Sequence, residues 1–123
     1  MKIEIIKKRI SKEELKKLTE EGFGALVKVA VDVKKEILAV GGEWHAEGQD
    51  LLAKEEKSDG QNVWGINFHP FEKGERRIEY IALINIKPAL GNRKMEIEDR
   101  AIRQKIKEIV EKLILSDDET LSA

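Results

Sequence analysis

Three acid and base side chains lie close together in the chain: Glu43, His45 and Glu47. If this stretch is extended, they share one strand face, with successive members about 6.5 to 7 Å apart along the strand. Two neighbours could bind a metal or act as general acid and base, with Asp32 or Asp50 joining from a nearby segment. The pattern raises the hypothesis of a metal-assisted hydrolase. Its alternative is a solvated strand face or helix start, where His45 makes an ordinary hydrogen bond.

A second candidate combines an aromatic–glycine pair with asparagines on predicted strands. Trp64 and Gly65 precede Asn67, and Asn85 lies in the next predicted strand. A side-chain amide can hold a ligand through a donor and an acceptor at once, so these residues could line a small polar pocket. The alternative is that Trp64 belongs to the core, Gly65 allows close packing and both asparagines bond to backbone groups at strand ends.

A third candidate is a loop in which cations surround a Gly–Asn turn just before a helix. The cations are Lys87, Arg93 and Lys94. Backbone N–H groups near Asn92, together with such cations, suit a phosphate or carboxylate. Carboxylates follow at once, however, at Glu96, Glu98 and Asp99. They could neutralise the cations, so a structured loop with local ion pairs is the alternative.

These uncommon polar residues favour a non-enzymatic binding module as the leading hypothesis. The module would present Lys87, Asn92 and Arg93, together with Asn67, Asn85 and His45, to an anionic group. That group could belong to a small molecule, a nucleic acid or a protein partner. A structural homodimer, formed through an exposed strand edge or the terminal helix, is a third hypothesis. The sequence assigns no catalytic residue and no cofactor.

Composition sets limits on these hypotheses. The chain has 123 residues, of which 41% are hydrophobic and 38% charged, and its 23 basic and 24 acidic residues leave a net charge of −1. Such a balance does not indicate a polyanion as partner. No cysteine is present, which excludes disulfides and thiolate sites. We expect a cytoplasmic protein without a membrane partner, because no apolar run is long enough to span a bilayer. Abundant Lys, Arg and Glu beside only four Asn and three Gln are typical of proteins from hot environments.

Hydrophobic periodicity predicts the elements that position these residues. Helices are predicted at 11–21, where Ser11 and Glu14 form a capping box, at 47–55 and at 100–115. Strands are predicted at 2–7, 26–33, 37–40, 43–46, 62–69 and 77–86. Hairpins grouped between helices favour an α+β fold: a mostly antiparallel sheet with an N-terminal helix and a long C-terminal helix packed on it. Residues 1–115 form the predicted domain, and residues 116–123 form an acidic tail predicted to be disordered.

Three stretches also carry a resemblance to a known family. They are Gly42-Glu43-x-His45-Ala46, Trp64-Gly65-Ile66-Asn67, and Ile84-Asn85-x-Lys87-Pro88-x-x-Gly91-Asn92-Arg93-x-x-x-Ile97-x-Asp99. The chain up to residue 115 resembles a family of short, stand-alone prokaryotic proteins known only as a domain of unknown function. The resemblance implies a cytoplasmic, single-domain protein in which the matched positions form one surface. It implies no activity and no catalytic residue.

Overall fold

Alternating apolar residues build one antiparallel sheet in the computed structural model of the chain, which describes residues 1–122. Its strands are β1 (Ile3–Ile6), β2 (Val27–Asp32), β3 (Ile37–Gly41), β4 (Val63–Phe68) and β5 (Ile78–Glu79). They lie side by side in the order β1-β3-β2-β4-β5, with β2 at the centre. The predicted α+β class with an antiparallel sheet is confirmed.

Helices cover both faces of this sheet. They are α1 (Lys12–Glu21), α2 (His45–Glu56) and α3 (Arg100–Leu113). Ser11 Oγ accepts the Glu14 N–H at 3.1 Å, which is one of the two bonds of the predicted capping box, while Glu14 Oε1 accepts from Lys2 Nζ at 3.3 Å. The buried side chains of α1 and α3 pack together on one face, and Leu52 of α2 packs on the other. No helix of residues 1–122 is long and apolar enough to cross a membrane.

Small residues let α2 approach the sheet closely. A Cβ atom at Gly48 of α2 would lie 3.1 Å from the Ala30 side chain of β2 and 3.4 Å from that of Ala39 on β3. A Cβ at Gly65 of β4 would lie only 2.5 Å from Ala82 Cβ and 3.0 Å from His45 Cδ2. Because real Cβ atoms do not approach another atom to 2.5 Å, Gly65 is what allows the segment around Ala82 to lie against β4, while Gly48 lets α2 lie close to β2 and β3.

The predicted strand at 43–46 is wrong, because α2 already begins at His45. The cause is the Glu47 side chain, whose hydrogen bonds cannot be read from the alternation of apolar and polar residues. Glu47 Oε1 accepts the N–H groups of Glu43 at 2.9 Å and of Trp44 at 2.8 Å. A carboxylate that binds the amides just before a helix stabilises the helix start.

The predicted strand at 77–86 is also wrong beyond its first residues, since β5 ends at Glu79. From Leu83 to Asn85 the chain forms a 3₁₀ turn, and a second such turn runs from Pro88 to Leu90. The apolar alternation remains, but the strand position beside Gly65 of β4 is occupied by a side-chain amide, that of Asn85.

The segment predicted to be a disordered tail contacts the domain as far as it is described. The Arg77 guanidinium donates to the backbone oxygens of Ser116 and Glu119. The Leu121 N–H donates to Pro70 O at 2.9 Å, and the Leu121 side chain is buried. Residues 116–122 therefore include groups that contact the domain, and Ala123 lies outside the described residues. The disorder of this tail stays a prediction.

The close approach at Gly65 gives a first prediction. Gly65→Ala should lower the free energy of unfolding by about 1 to 3 kcal/mol, because the added methyl overlaps Ala82 Cβ. Urea denaturation followed by circular dichroism measures the change. Gly60→Ala is the matched control, since the same methyl there meets only the mobile end of Gln49. Equal losses for both variants would contradict this account of Gly65.

Candidate functional site

Asn85 acts as a substitute for a neighbouring strand. It is completely buried. Its Oδ1 accepts the Gly65 N–H at 2.7 Å, and its Nδ2 donates to Gly65 O at 2.9 Å and to Met95 O at 3.0 Å. Both backbone groups of Gly65 that face away from β2 are thereby paired. The side chain thus makes the kind of bond to strand backbone that the alternative for this asparagine describes.

Asn92 organises the loop that follows. Its Nδ2 lies within hydrogen-bond distance of three backbone oxygens, those of Asn85 at 2.8 Å, Lys94 at 3.0 Å and Glu96 at 3.0 Å. Its Oδ1 accepts the Glu98 N–H at 2.9 Å. The side chain is buried, so its amide is fully occupied within the protein.

Lys87 also turns inward. Its Nζ donates to Gly60 O at 2.8 Å and lies 5.2 Å from the centroid of the Trp64 ring. Burial lowers the pKa of Lys87, and the nearby Asp59 carboxylate opposes this effect. Of Lys87, Asn92 and Arg93, the loop residues predicted to bind an anion, only Arg93 is exposed. Its side chain forms no hydrogen bond or salt bridge within residues 1–122.

This network gives a second prediction. Asn85→Leu leaves the buried N–H and C=O groups of Gly65 without partners, so we expect a loss of about 3 kcal/mol or more in the free energy of unfolding. Asn67→Leu on the same strand as Gly65 is the matched control, with a loss below about 1 kcal/mol, because Asn67 has no comparable bonds within the described chain. Urea denaturation of both variants tests the contrast. A loss at Asn67 as large as that at Asn85 would contradict it.

A second group of polar residues lies at one end of the sheet, on the face that carries α2. Lys28 on β2 lies directly opposite Asn67 on β4, and Asn67 lies opposite Glu79 on β5. His45, at the start of α2, places its Nε2 2.8 Å from Ile66 O. His69 Nε2 lies 2.6 Å from Glu79 Oε1. We name these five residues, Lys28, His45, Asn67, His69 and Glu79, the sheet-end cluster.

Electrostatics keep His45 neutral. Burial lowers its pKa, Lys28 lowers it further, and hydrogen bonding to Ile66 O and Asn67 opposes them. Since Ile66 O can only accept, Nε2 of the neutral ring carries the proton and Nδ1 is an acceptor. His45 therefore contributes a bare ring nitrogen rather than a positive charge at neutral pH.

Asn67 is the least committed polar group of the cluster. Its Oδ1 is buried without a well-formed hydrogen bond within the described residues, although it lies close enough to raise the pKa of His45. Its Nδ2 also donates to no group in residues 1–122, and it is not among the buried atoms. An amide with a free, accessible N–H donor, on the strand position opposite Lys28, can accommodate an oxyanion.

The metal hypothesis loses the geometry on which it rested. Glu43, His45 and Glu47 do not share a strand face, because α2 begins among them. Glu47 accepts from two backbone amides, and the His45 Nε2–H is directed to Ile66 O. Within residues 1–122, no group of three or more His, Asp or Glu side chains is placed to hold a metal ion.

The six residues predicted to bind a ligand therefore divide into two groups and one isolated residue. Asn85, Lys87 and Asn92 form a buried support, His45 and Asn67 belong to the sheet-end cluster, and Arg93 stands apart. Lys28, His69 and Glu79 were not singled out from the sequence. Lys28 carried a signal, because it is the one charged residue between Leu26 and Val31, in an otherwise apolar part of the predicted strand.

Comparison with known protein families gives a match over most of the chain. The sequence profile of a family described as "Protein of unknown function (DUF5674)" covers residues 4–113. The chain belongs to this family. The resemblance seen in the sequence to a family of unknown function is thus confirmed. No curated protein and no solved structure matches the chain.

The environment of His45 gives a third prediction. Because folding lowers its pKa below the ordinary value of 6.5, the unfolded chain binds more protons in this range. The contribution of His45 to stability is present above pH 6.5 and is lost as the pH falls towards the lowered value in the folded state. Urea denaturation at a series of pH values around 6.5 measures this slope.

His45→Gln should flatten the slope, since Gln can still donate to Ile66 O but does not titrate. His69→Gln is the control and should keep the part of the slope that depends on His45. An unchanged slope in His45→Gln would show that another group causes it.

Proposed function

We propose that the protein is a non-enzymatic binding module that takes the anionic group of a small ligand at the sheet-end cluster. The observation that carries this proposal is the cross-strand pair of Lys28 and Asn67. One residue supplies a cation and the other an uncommitted amide donor. Both side chains are half-buried, so water competes with a bound anion less than it would on an open surface.

Strand register places the two side chains at directly opposite positions of β2 and β4. Directly opposite residues of an antiparallel pair have Cα atoms about 4.5 to 5.5 Å apart, and their side chains project from the same face. The Lys28 ammonium forms no ion pair within residues 1–122, and it lies 5.3 Å from the centroid of the Phe23 ring. A carboxylate or phosphate oxygen can therefore bridge Lys28 Nζ and Asn67 Nδ2 without breaking an existing ion pair.

Neighbouring groups define the rest of the ligand. Trp44, which precedes His45 in the chain, is exposed and offers an aromatic face. Phe23 is also exposed, and its ring lies near Lys28 Nζ. Glu79 supplies a carboxylate on the far side of Asn67. A polyanion such as nucleic acid would be repelled there, so a small molecule with one anionic group and an apolar or planar part fits best. The cytoplasmic location stays a prediction from the sequence.

Titration of the ¹⁵N-labelled protein with sodium acetate, and separately with inorganic phosphate, tests this proposal. Sodium chloride at matched ionic strength gives the non-specific response. We expect saturable chemical-shift changes at Lys28, at the Asn67 side-chain amide and at His45. Lys28→Met and Asn67→Leu should each weaken binding roughly tenfold or more, because each removes a donor to a charged acceptor.

Lys16→Met is the matched control, since Lys16 is, like Lys28, a half-buried lysine, and it lies on α1, a helix that packs on the opposite face of the sheet. It should leave the titration unchanged. The proposal fails if the shifts grow linearly for all three salts alike, or if Lys28→Met binds as well as the unmodified protein.

A further inference from the structure

Exposed apolar side chains are concentrated on the segment that Asn85 and Asn92 hold. Residues 1–122 have seven large apolar side chains that are exposed, and four of them lie between residues 83 and 95. These four are Leu83, Ile86, Leu90 and Met95, with exposed fractions between 40% and 69%. Such a concentration on one segment is typical of a surface that another protein covers. We name the surface of residues 83–95 the apolar ridge.

The apolar ridge is ordered before any partner binds. Asn92 fixes the backbone at Asn85, Lys94, Glu96 and Glu98, and Lys87 and Asn92 pair through both of their backbone groups at 2.7 and 3.2 Å. A preorganised segment loses little conformational entropy on binding, which favours association. The buried asparagines therefore present apolar side chains to the outside in a fixed arrangement.

Open grooves flank the ridge on both sides, and both are acidic. The groove towards α2 has a volume of about 630 Å³ and carries Asp50 and Asp59. The groove towards α3 has a volume of about 500 Å³ and carries Glu98 and Asp99. Lys87 also lines the first groove, but its Nζ is bound to Gly60 O.

Only one of these four carboxylates has no partner within residues 1–122. Asp59 accepts the Gln61 N–H, Asp99 accepts the N–H groups of the first turn of α3, and Glu98 lies 3.8 Å from Lys94. Asp50 is exposed on α2 and forms no hydrogen bond or ion pair in that part of the chain. Arg93, on the ridge itself, is the matching exposed cation.

We propose that the apolar ridge binds a second copy of this chain in a two-fold symmetric dimer, with Arg93 of each copy placed in the Asp50 groove of the other. A two-fold interface uses the same patch on both copies, so the patch must complement itself. This one does, because the apolar side chains of the ridge are accompanied by an unpaired cation, Arg93, and the adjoining groove carries the unpaired carboxylate of Asp50. An apolar centre with a charged rim is the usual organisation of such interfaces.

The size of the surface sets the expected strength. A standard interface buries about 800 Å² on each partner and involves about 20 to 30 residues a side. Residues 83–95 alone supply fewer, so the groove walls on α2 must take part. We therefore expect a dimer that dissociates on dilution rather than an obligate one. This inference does not depend on the sheet-end cluster, since none of its five residues lies on the ridge or lines either groove.

Light scattering and sedimentation equilibrium across a wide concentration range test the dimer. The mass should approach twice 14.0 kDa at high concentration and fall towards 14.0 kDa on dilution. Leu90→Asp should give a single-chain mass at all concentrations, because it places a carboxylate in the apolar centre. Arg93→Asp should weaken the dimer roughly tenfold or more.

A charge exchange then tests the pairing. Arg93→Asp combined with Asp50→Arg restores complementarity and should recover the dimer, whereas Asp50→Arg alone should weaken it. Lys16→Glu on α1 is the control and should have no effect. Circular dichroism and urea denaturation confirm that each variant is folded. A single-chain mass of the unmodified protein at every concentration overturns the proposal. So does a dimer that survives Leu90→Asp, or one that the charge exchange fails to restore.

Discussion

The structure depends on one side chain that takes the place of a strand. Asn85 pairs with both outward backbone groups of Gly65, and this is possible only because Gly65 has no Cβ to keep Ala82 away from β4. The sheet is therefore continued beyond β4 by an amide over its middle and by β5 only at its end. Buried N–H and C=O groups must be paired, and here the Asn85 amide forms the hydrogen bonds that a neighbouring strand would otherwise form with Gly65.

Because the Asn85 amide replaces a strand beside Gly65, β4 is bordered by an irregular segment in its middle and by a regular strand at its end. The buried amides of Asn85 and Asn92 hold an irregular segment firmly, and the segment turns its apolar residues outward. At the far end of β4 the strands remain regular, and their alternation places a lysine, an asparagine and a glutamate in a row. Strand β4 thus contacts the irregular segment at Gly65 and lies within regular strand pairing at Asn67.

Local signals in the sequence were sufficient for the helices at both ends of the chain and for the fold class. Ser11 and Asp99 are caps whose bonds reach only two or three residues along the chain, so periodicity and capping predicted α1 and α3. The prediction of a strand at 77–86 was wrong because the conformation of this segment depends on the contact between Gly65 and Asn85, which are twenty positions apart in the chain. The polar residues were correctly singled out as unusual. The sequence alone could not show which asparagine side chains form all their hydrogen bonds within the protein, because those bonds depend on the tertiary fold.

The last described residues act as a latch between the two ends of the chain. Glu119 accepts from the Arg9 side chain at 2.9 Å and lies 2.9 Å from Lys12 Nζ, while its backbone oxygen accepts from Arg77. Hydrogen bonds from Ser116, together with these cations, hold the pKa of Glu119 below its usual range. The contacts of Glu119 with Arg9 and Lys12 join residues more than a hundred positions apart in the chain. Since the ribosome makes the chain from its N-terminus, Arg9 and Lys12 can form these contacts only after residue 119 has been added.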